Sequence, residues 1–481
     1  MRLRELTEKI EILQENHLGN PQVESIAFDS RKVNEGCLFV AIKGSNSDGH
    51  NYIDDAIERG AVAVICEEPS HLSKEVPIFV TPESKEALWR VASAFWDNPS
   101  QKIKVVGVTG TNGKSTTVTL LYHLFTKLGY RCGLISTIRN MVGEREYPTT
   151  LTTPDILTLN RLLFEMGEVG CEFCFMEVSS HALDQQRVGG VEFTGAIFTN
   201  LGRDHLDYHA NMREYLYSKK RLFDNLSPKA FALINSDDRN GAVMLQNCRG
   251  AHYTYALHTQ ANFNCRVIEQ SLEGMLVNID GKEIWSRFIG DYNGYNLLAA
   301  YSAATLLGAD SQEAAVALSS LPLVEGRMEY YTGGDEITAI VDYAHTADAL
   351  DSILKNLRKI APDREIVTLF GCGGGRDRGK RVKMAEVVAR YSNRVVVTSD
   401  NPRFEEPEAI VEEILKGFRP NELKKVLTIV NRREAIKTAL SIASSGAIVL
   451  IAGKGHEVYQ EIKGVRYHFD DREEVKAFFN L

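Results

Sequence analysis

The sequence predicts an α/β protein with three domains. The chain has 481 residues, and a prior of roughly 150 residues per domain gives about three domains. Short apolar runs alternate with helical segments along most of the chain, as expected for sheets covered by helices. Hydrophobic residues make up 44% of the chain and charged residues 25%. These shares are typical of a globular protein.

The first domain is predicted over residues 1–100 as a small N-terminal α/β unit. It contains the apolar runs "CLFVAI", "AVAVIC" and "VPIFV", which are mixed with helical stretches. The polar segment "FWDNPSQK" resembles a turn and marks its end.

The second domain is predicted over residues 101–324 and begins with a strand, a glycine-rich loop and a helix. The segment "IKVVGVTG" is typical of a buried strand, and a helix is expected from Ser115 to Leu128 with Gly129 at its end. Further apolar strands follow at "FCFMEV", "GAIFTN" and "AFALIN", separated by helical segments. This order predicts a doubly wound, mostly parallel sheet.

The third domain is predicted over residues 325–481 as a Rossmann-like α/β unit. The proline and glycine of "LPLVEGRMEYY" mark the junction. After the junction, "ITAIVDY", "EIVTLFG", "RVVVTSD" and "AIVLIAG" alternate with helices.

Charge and patterning exclude several classes of protein. The formal net charge of -9 argues against a nucleic-acid surface as the main partner. No apolar stretch approaches the roughly 20 residues of a membrane span, and the charged start "MRLRELTEKIEIL" lacks the features of a secretory signal. The eight cysteines form neither a disulfide framework nor a zinc pattern. We therefore expect a cytoplasmic monomer without a membrane span.

The segment "VTGTNGKSTT" predicts a phosphate-binding loop between the first central strand and its helix. Backbone amides and a helix N-terminus favour an anion, a lysine can reach the outer phosphates, and a serine can bind magnesium. The strict spacing of this motif requires a glycine where the chain has Val108, so the loop is a variant. A tight turn that happens to carry Lys-Ser is the alternative. The predicted ATP-binding residues are Gly110, Thr111, Asn112, Gly113, Lys114, Ser115 and Thr116.

Two polar segments of the central domain are candidates for a reaction centre. Glu177 ends a predicted strand in "FMEVSSHALDQQR", where a carboxylate can bind the magnesium of a nucleotide or form an ordinary ion pair. The segment "TNLGRDHLDYH" holds Asp204, His205, Asp207 and His209. Such a cluster can bind a metal or cap a helix, and both alternatives remain open on these residues.

Eight motifs occur together in the order seen in one family. They are "GVTGTNGKSTT", "TTP", "MEVSSHALDQQRV", "TNLGRDHLDYH", "YLYSKKRLF", "YNGYNLLAA", "EGRME" and "DYAHT". In this respect the whole chain resembles the Mur ligases, which are ATP-dependent amino-acid ligases of peptidoglycan precursor synthesis.

The resemblance implies roles in binding ATP and Mg²⁺. Lys114 and the loop amides match groups that hold the phosphates, Ser115 matches a ligand of one magnesium, and Glu177 with His205 matches ligands of a second. Lys219 matches a lysine that takes up carbon dioxide as a carbamate and thereby supports this second magnesium. The implied catalytic residues are Lys114, Glu177, His205 and Lys219. Further positions match groups near the adenine, phosphates and ribose, namely Asn296, Arg327 and Asp342.

The resemblance also implies the substrates. UDP-N-acetylmuramoyl-L-alanyl-D-glutamate is expected at Phe28, Ser30, Ser45, Asn46, Ser47, Thr152, Thr153, Ser179, Gln185 and Arg187. The loops "DYAHT", "GCGGGRDRGKR", "SDNPR" and "AGKGHE" follow predicted strands, so they are expected to share one edge of the sheet. Within them, meso-diaminopimelate is expected at Arg376, Asp400, Asn401, Pro402, Arg403, Gly453 and Glu457. Alone, "DNPR" is also compatible with a proline turn and a surface ion pair.

The implied reaction is formation of an amide through an acyl phosphate. ATP phosphorylates the D-glutamate side-chain carboxylate, and the amine of meso-diaminopimelate then attacks it, giving ADP and phosphate. The nearest alternative is the same reaction with L-lysine, and a different class is a P-loop ATPase or kinase that forms no amide. Three departures from the common family pattern are Gly375 in place of aspartate, and Val382 and Ala347 in place of prolines.

Overall fold

A computed structural model describes residues 1–44, 47–70 and 74–481. The described chain forms three large sheets flanked by helices, together with one separate two-stranded hairpin. Ser45 and Asn46, predicted to contact substrate, lie outside the described residues. Within the described ranges, no helix has the length and hydropathy needed to cross a bilayer.

The N-terminal sheet has five strands in the order β1-β5-β4-β3-β2, and all neighbours except β1 and β5 are parallel. Its strands are β1 (Gln14–Glu15), β2 (Ser25–Ala27), β3 (Cys37–Val40), β4 (Ala61–Cys66) and β5 (Ile78–Val80). The helices of this region are α1 (Leu3–Thr7), α2 (Ile53–Glu58) and α3 (Ser84–Phe95).

The central sheet has eleven strands in the order β16-β15-β14-β13-β12-β11-β6-β10-β7-β8-β9. Its strands are β6 (Lys104–Thr109), β7 (Cys132–Ile135), β8 (Asn140–Val142), β9 (Arg145–Tyr147), β10 (Phe173–Glu177), β11 (Phe193–Phe198), β12 (Phe231–Asn235), β13 (Ala251–Ala256), β14 (Phe263–Gln270), β15 (Met275–Ile279) and β16 (Lys282–Ser286). The helices are α4 (Lys114–Lys127), α5 (Ile156–Glu168), α6 (Ser180–Asp184), α7 (Met212–Asp224), α8 (Gly241–Met244), α9 (Asp291–Leu306) and α10 (Ser311–Leu318).

The predicted parallel core of the central sheet is confirmed. Strands from β7 across to β14 are parallel, and β8, β9, β15 and β16 extend the two edges in antiparallel fashion. Because β6 lies between β10 and β11, the loops that follow these three strands meet at one edge.

The C-terminal sheet has six strands in the order β17-β18-β22-β19-β20-β21, of which only β17 is antiparallel to its neighbour. Its strands are β17 (Glu329–Thr332), β18 (Thr338–Asp342), β19 (Ile366–Phe370), β20 (Arg394–Val397), β21 (Val426–Thr428) and β22 (Ile448–Ala452). The hairpin consists of β23 (Tyr459–Ile462) and β24 (Val465–His468). The helices are α11 (Ala347–Ile360), α12 (Gly379–Tyr391), α13 (Pro407–Leu415), α14 (Arg432–Ser441) and α15 (Asp471–Phe479).

All four predicted strands of this third sheet are present as β18, β19, β20 and β22. They are adjacent and parallel, and each is buried along its length apart from the first residue of β20. This explains why they read as continuous apolar runs in the sequence. Their adjacency brings the four polar loops that follow them to a common edge, as predicted.

Two buried arginines connect the loops at this edge to the helices behind them. Arg432, at the start of α14, donates to the carbonyls of Ser399 and Ala452 and forms a fully buried pair with Asp471. Burial opposes its charge, but Asp471 raises the pKa of Arg432 above its usual range. Arg381 in α12 is 1% exposed and binds Glu405 and Glu413.

Replacement of Arg432 by methionine tests the buried pair. We expect the C-terminal domain to lose about 3–5 kcal/mol of unfolding free energy, because Asp471 is left as an uncompensated buried carboxylate. Urea denaturation with a probe in this domain measures the loss. The matched control is Arg433→Met, since Arg433 is half exposed and pairs with Glu474, and its loss should stay below about 1 kcal/mol. Equal losses in the two variants would contradict the expectation.

Candidate active site

One cavity of about 680 Å³ joins the edge of the central sheet to the edge of the C-terminal sheet. Twenty of the residues predicted from the sequence line it. They are Thr111, Asn112, Gly113, Lys114, Ser115, Thr116, Thr152, Glu177, Ser179, His205, Lys219, Asn296, Arg327, Asp342, Arg376, Asp400, Asn401, Arg403, Gly453 and Glu457.

The glycine-rich loop lies between the end of β6 and the start of α4, so the helix N-terminus faces the cavity. The loop is held by the segment after β11: the Thr111 amide donates to Asn200 O at 2.8 Å, and the Asn112 amide donates to Asn200 Oδ1 at 3.0 Å. The Lys114 ammonium donates to Gly110 O and Thr111 O. Burial lowers the pKa of Lys114. This arrangement offers amides, a helix dipole and a cation to a phosphate chain.

A carboxylate and an imidazole lie next to this loop. Glu177 is the last residue of β10, is 1% exposed, and accepts a hydrogen bond from the Thr137 amide at 2.7 Å. Burial lowers the pKa of His205 to about 3 although Asp204 opposes the shift, so the imidazole is neutral at neutral pH. Ser115, Glu177 and His205 all line the cavity. A hydroxyl, a carboxylate and a neutral imidazole are donor types that suit a divalent cation.

Lys219 is a buried amine beside the loop. It lies on α7, is 1% exposed, and donates to Gly110 O at 2.8 Å. Its Nζ lies 4.3 Å from the ring centre of Tyr215, whose hydroxyl is 3.1 Å from Thr111 Oγ1. Burial, followed by the charge of Lys114, lowers the pKa of Lys219 well below its usual value. Desolvation of this kind favours the neutral form of an amine, which is its nucleophilic form.

The cluster at residues 204–209 does not cap a helix. The side chain of Asn211 is the N-cap of α7, because it accepts from the amides of Arg213 and Glu214. Asp204, His205 and Asp207 instead line the cavity. His209 is buried with its Nε2 3.0 Å from Ser180 Oγ.

At the other end of the cavity, six residues form what we call the polar pocket: Arg376, Asp400, Asn401, Arg403, Gly453 and Glu457. Arg403 adopts a left-handed backbone conformation with φ of 54°. Two hydrogen bonds to the hairpin hold it, from the Arg403 amide to Glu461 O at 3.0 Å and from the Lys463 amide to Arg403 O at 2.6 Å. The "DNPR" segment is therefore paired with strand β23 and is not a free surface turn.

The polar pocket contains both carboxylates and cationic side chains. Asn401 Nδ2 donates to Glu457 Oε2 at 2.8 Å, and Arg403 donates to Gly374 O at 2.8 Å. Burial raises the pKa of Glu457. Burial also favours the neutral form of Asp400, but Lys454 and Arg432 hold the pKa of Asp400 below its usual value. The pocket can thus bind a ligand that carries both an ammonium and a carboxylate.

Polar contacts join the two sheets around the cavity. Arg327 donates to Ser115 Oγ at 3.0 Å and lies 4.4 Å from the ring centre of Tyr343. The Arg203 amide donates to Asp348 at 3.2 Å. Arg376 is half exposed and lies 3.7 Å from Asp207.

Eight other predicted residues do not line the cavity. Thr153, Gln185 and Arg187 form a separate cluster, in which Arg187 donates to Gln185 Oε1 and to Thr153 O. The Thr153 hydroxyl donates to Glu177 O at 2.8 Å, so this cluster lies directly behind the strand end that carries Glu177. The others are Gly110, Pro402, and, in the N-terminal region, Phe28, Ser30 and Ser47.

The three departures from the common family pattern fit their local conformations. Gly375 has φ of 63°, which glycine adopts without strain. Ala347 is the first residue of α11, where Thr346 is the N-cap, and Val382 lies inside α12.

Family models match most of the chain. They are the Mur ligase family catalytic domain at residues 22–99, the Mur ligase middle domain at residues 108–304, and the Mur ligase glutamate ligase domain at residues 326–455. A relative from Cytophaga hutchinsonii, named UDP-N-acetylmuramoyl-L-alanyl-D-glutamate--2,6-diaminopimelate ligase, is 49% identical and covers 100% of this chain and 99% of its own length. The chain belongs to the Mur ligase family. It is an ATP-dependent, amide-forming ligase.

Other Mur ligases support the same assignment. A relative with the same name from Bacteroides fragilis is 47% identical, and the alignment covers all of both chains. A solved structure of a UDP-N-acetylmuramoyl-L-alanyl-D-glutamate--2,6-diaminopimelate ligase is 33% identical, with a TM-score of 0.69 over 100% of this chain and 99% of that one. MurF from Acinetobacter baumannii is 15% identical with a TM-score of 0.67, covers 99% of this chain and 98% of its own, and shows the shared fold.

Sequence reasoning about this ligase missed several residues that organise the site. Lys454 and Arg432 lie behind the polar pocket, and Arg381 and Asn200 hold its loops and the phosphate loop. Lys454 could have been found from the sequence, because the segment "AGKGHE" places it directly after a predicted strand. The two arginines occur in helical segments with ordinary charge patterns, which carry no such signal.

Replacement of Gly453 by alanine in this ligase tests the close packing of the polar pocket. Gly453 has φ of 119°, and a Cβ there would lie 2.6 Å from Asp400 Oδ2. We expect a strain of roughly 1–3 kcal/mol and a displaced Asp400. The KM for the amine should therefore be higher in a steady-state ligation assay. Gly446→Ala is the matched control, because Gly446 also has positive φ but open space around its Cβ. An unchanged KM in Gly453→Ala would contradict the expectation.

Proposed function

We propose that this Mur ligase adds meso-2,6-diaminopimelate to the D-glutamate side-chain carboxylate of UDP-N-acetylmuramoyl-L-alanyl-D-glutamate. The observation that carries the proposal is the single cavity that joins the phosphate loop to the polar pocket. Phosphoryl transfer and binding of the amine can therefore take place in one site. Relatives that are 47–49% identical over the full length are named as 2,6-diaminopimelate ligases of this nucleotide-sugar dipeptide, which supports these substrates.

The nucleotide end of the cavity is proposed to bind ATP. Lys114 and the amides of residues 110–116 hold the phosphates, Arg327 approaches them from the C-terminal side, and Asn296 and Asp342 face the nucleoside. Burial raises the pKa of Asp342 although Arg327 opposes the shift. The contact between Arg327 and Ser115 supports this arrangement, because it places a second cation beside the loop.

Mg²⁺ fits the donors at this end. The residues that would hold it are Ser115, Glu177 and His205, with Lys219 as a carbamate. Oxygen and neutral imidazole ligands suit the ion, and the buried Glu177 carboxylate forms no ion pair within the described ranges. When bound, Mg²⁺ supplies charge neutralisation during phosphoryl transfer.

The buried amine of Lys219 supports carbamate formation. Its neutral Nζ attacks carbon dioxide, a C–N bond forms, one proton is released, and the product is an anion. The resulting carboxylate-like anion is electrostatically favourable beside the Lys114 ammonium and a divalent metal.

The polar pocket is proposed to bind the distal, non-reacting end of meso-diaminopimelate. Arg403 and Arg376 contact the distal carboxylate, and Glu457 accepts from the distal ammonium. Asp400, Asn401, Pro402 and Gly453 complete the wall. Arginine is suited to a carboxylate because its planar fork binds two oxygens. L-Lysine has no distal carboxylate and leaves both arginines without a ligand.

The nucleotide-sugar dipeptide is proposed to lie along the N-terminal and central domains. Residues assigned to it are Phe28, Ser30, Ser45, Asn46, Ser47, Thr152, Thr153, Ser179, Gln185 and Arg187. We assign this substrate to residues 1–100 together with the facing loops, ATP to residues 101–324 and the amino acid to residues 325–481.

The reaction proceeds in two balanced steps. The D-glutamate carboxylate attacks the γ-phosphorus of ATP, and ADP leaves. The amine then attacks the acyl carbon, the C–N bond forms, the bond to phosphate breaks and a proton is released. Lys114 and Arg327 stabilise negative charge on the transferring group, and the pocket holds the amine in line for attack.

A panel of amines tests the proposed function. With ATP, Mg²⁺ and the nucleotide-sugar dipeptide, we expect phosphate release with meso-diaminopimelate at least about tenfold above that with L-lysine, because the distal carboxylate interaction is worth more than about 1.4 kcal/mol. Mass spectrometry of the product detects the new amide. Comparable turnover with L-lysine would refute the specificity, and ATP consumption without an amide would refute the reaction.

The Lys219→Ala variant tests the carbamate. We expect activity to fall by about 100-fold or more, since removal of one charge-stabilising group at such a site has that effect, and to recover in part with acetate or formate. Arg221→Ala is the matched control on the same helix, because Arg221 is half exposed. Full activity of Lys219→Ala would contradict the proposal.

A further inference from the structure

Lys454 lies directly behind the polar pocket without lining the cavity. It follows Gly453 at the end of β22, and its side chain is fully buried. Its neighbours Gly453 and Glu457 line the cavity, whereas Lys454 does not. A ligand in the cavity therefore touches the partners of Lys454 and does not touch Lys454 itself.

The Lys454 ammonium contacts three residues of the polar pocket. It donates to Asn401 Oδ1 at 3.1 Å and to Glu457 Oε2 at 3.1 Å, and it lies 3.8 Å from Asp400 Oδ1. It thus connects the loop after β20 to the loop after β22.

These contacts fix the orientation of Asn401. Its Oδ1 accepts from Lys454 and from the Glu461 amide, so its Nδ2 is directed to Glu457 Oε2. Glu457 Oε2 in turn accepts from both Lys454 and Asn401, while its Oε1 has no hydrogen bond among the residues that the structure describes. One oxygen of Glu457 is held in place, and the other is available to a ligand.

The charges around Glu457 make Lys454 its main counter-ion. The titratable and charged groups that face Glu457 are Lys454, Asp400, Arg432, Tyr343 and Tyr459. Burial and the charge of Asp400 raise the pKa of Glu457, whereas Lys454 lowers it. Arg432 is also close, but Asp471 binds it through two oxygens.

We propose that Lys454 is a positioning residue that keeps Glu457 and Asn401 oriented and Glu457 ionised, so that the polar pocket can accept the distal ammonium of the amino-acid substrate. This inference rests on the proposed function. Because Lys454 is covered by its partners, it acts through them and makes no contact with the reacting atoms.

The Lys454→Met variant tests the inference. Without the ammonium, the Glu457 carboxyl loses its counter-ion and protonates at higher pH, so it no longer accepts the substrate ammonium near neutrality. We expect the KM for meso-diaminopimelate to rise about tenfold or more near pH 7, which is equivalent to a loss of about 1.4 kcal/mol of binding free energy. The KM values for ATP and the nucleotide-sugar dipeptide should not change, and kcat should stay within about threefold.

The pH profile separates this role from a purely structural one. In assays from about pH 6.5 to about pH 8.5, the elevated KM of Lys454→Met should fall towards the wild-type value as pH rises, because a higher pH returns charge to Glu457. The wild-type KM should stay constant over the same range. A wild-type KM that rises tenfold between pH 8.5 and pH 6.5 would overturn the inference, whether or not any variant folds.

Three further variants complete the experiment. Lys454→Arg keeps the charge and should restore a pH-independent KM, whereas Lys454→Gln keeps a donor without the charge and should behave as Lys454→Met. The matched control is Lys437→Met, since Lys437 lies half exposed on α14, and it should behave as the wild type. An increase in all three KM values, or one that does not depend on pH, would overturn the inference. Wild-type ligation of meso-diaminopimelate in the same assay tests the proposed function separately.

Discussion

Desolvation of charged side chains is the constraint on which the polar pocket of this ligase depends. Arg381, Arg432 and Lys454 are all at most 1% exposed, and a buried cation is tolerated only when anions and carbonyls surround it. Each is therefore bound to the loops at the edge of the C-terminal sheet. Arg432 alone holds the backbone after β20 and at the end of β22. Because these charges must be paired, their bonds hold the loops in place and position the loop residues that line the cavity.

The cavity lies between the central and C-terminal sheets, and polar contacts join its two sides. Arg327 reaches Ser115 across the junction, and the Arg203 amide reaches Asp348. The pair between Arg376 and Asp207 is half exposed, and such a pair contributes only about 0–1 kcal/mol. An assembly of this kind is well suited to a reaction in which a phosphate donor and an amine must meet at one carboxylate, because the donor and the amine can bind to different parts.

The parts of the structure that the sequence predicted follow from periodicity and local motifs. Strands such as β10 and β22 are buried on both faces and read as apolar runs, and the phosphate loop combines glycines with Lys114 in a short span. The groups that sequence reasoning missed act over long separations. Arg432 reaches Ala452 and Asp471, and hairpin β23–β24 reaches Arg403. No local pattern reports such contacts. The N-cap of α7 is Asn211, so the residues from Asp204 to His209 do not cap this helix, and their binding of a metal stays a prediction.

The hairpin β23–β24 gives the fold a means of shifting Arg403 without changing any residue of the polar pocket. Arg403 pairs with Ile462 through an isolated β-bridge, and its guanidinium donates to Gly374 O in the loop after β19, so the hairpin and this loop together position it. The outer strand β24 is exposed along its whole length, and substitutions or length changes there disturb little of the core. Substitutions in this solvent-exposed hairpin therefore give a family of ligases a route to a preference for amino acids with longer or shorter side chains. The ATP chemistry stays constant.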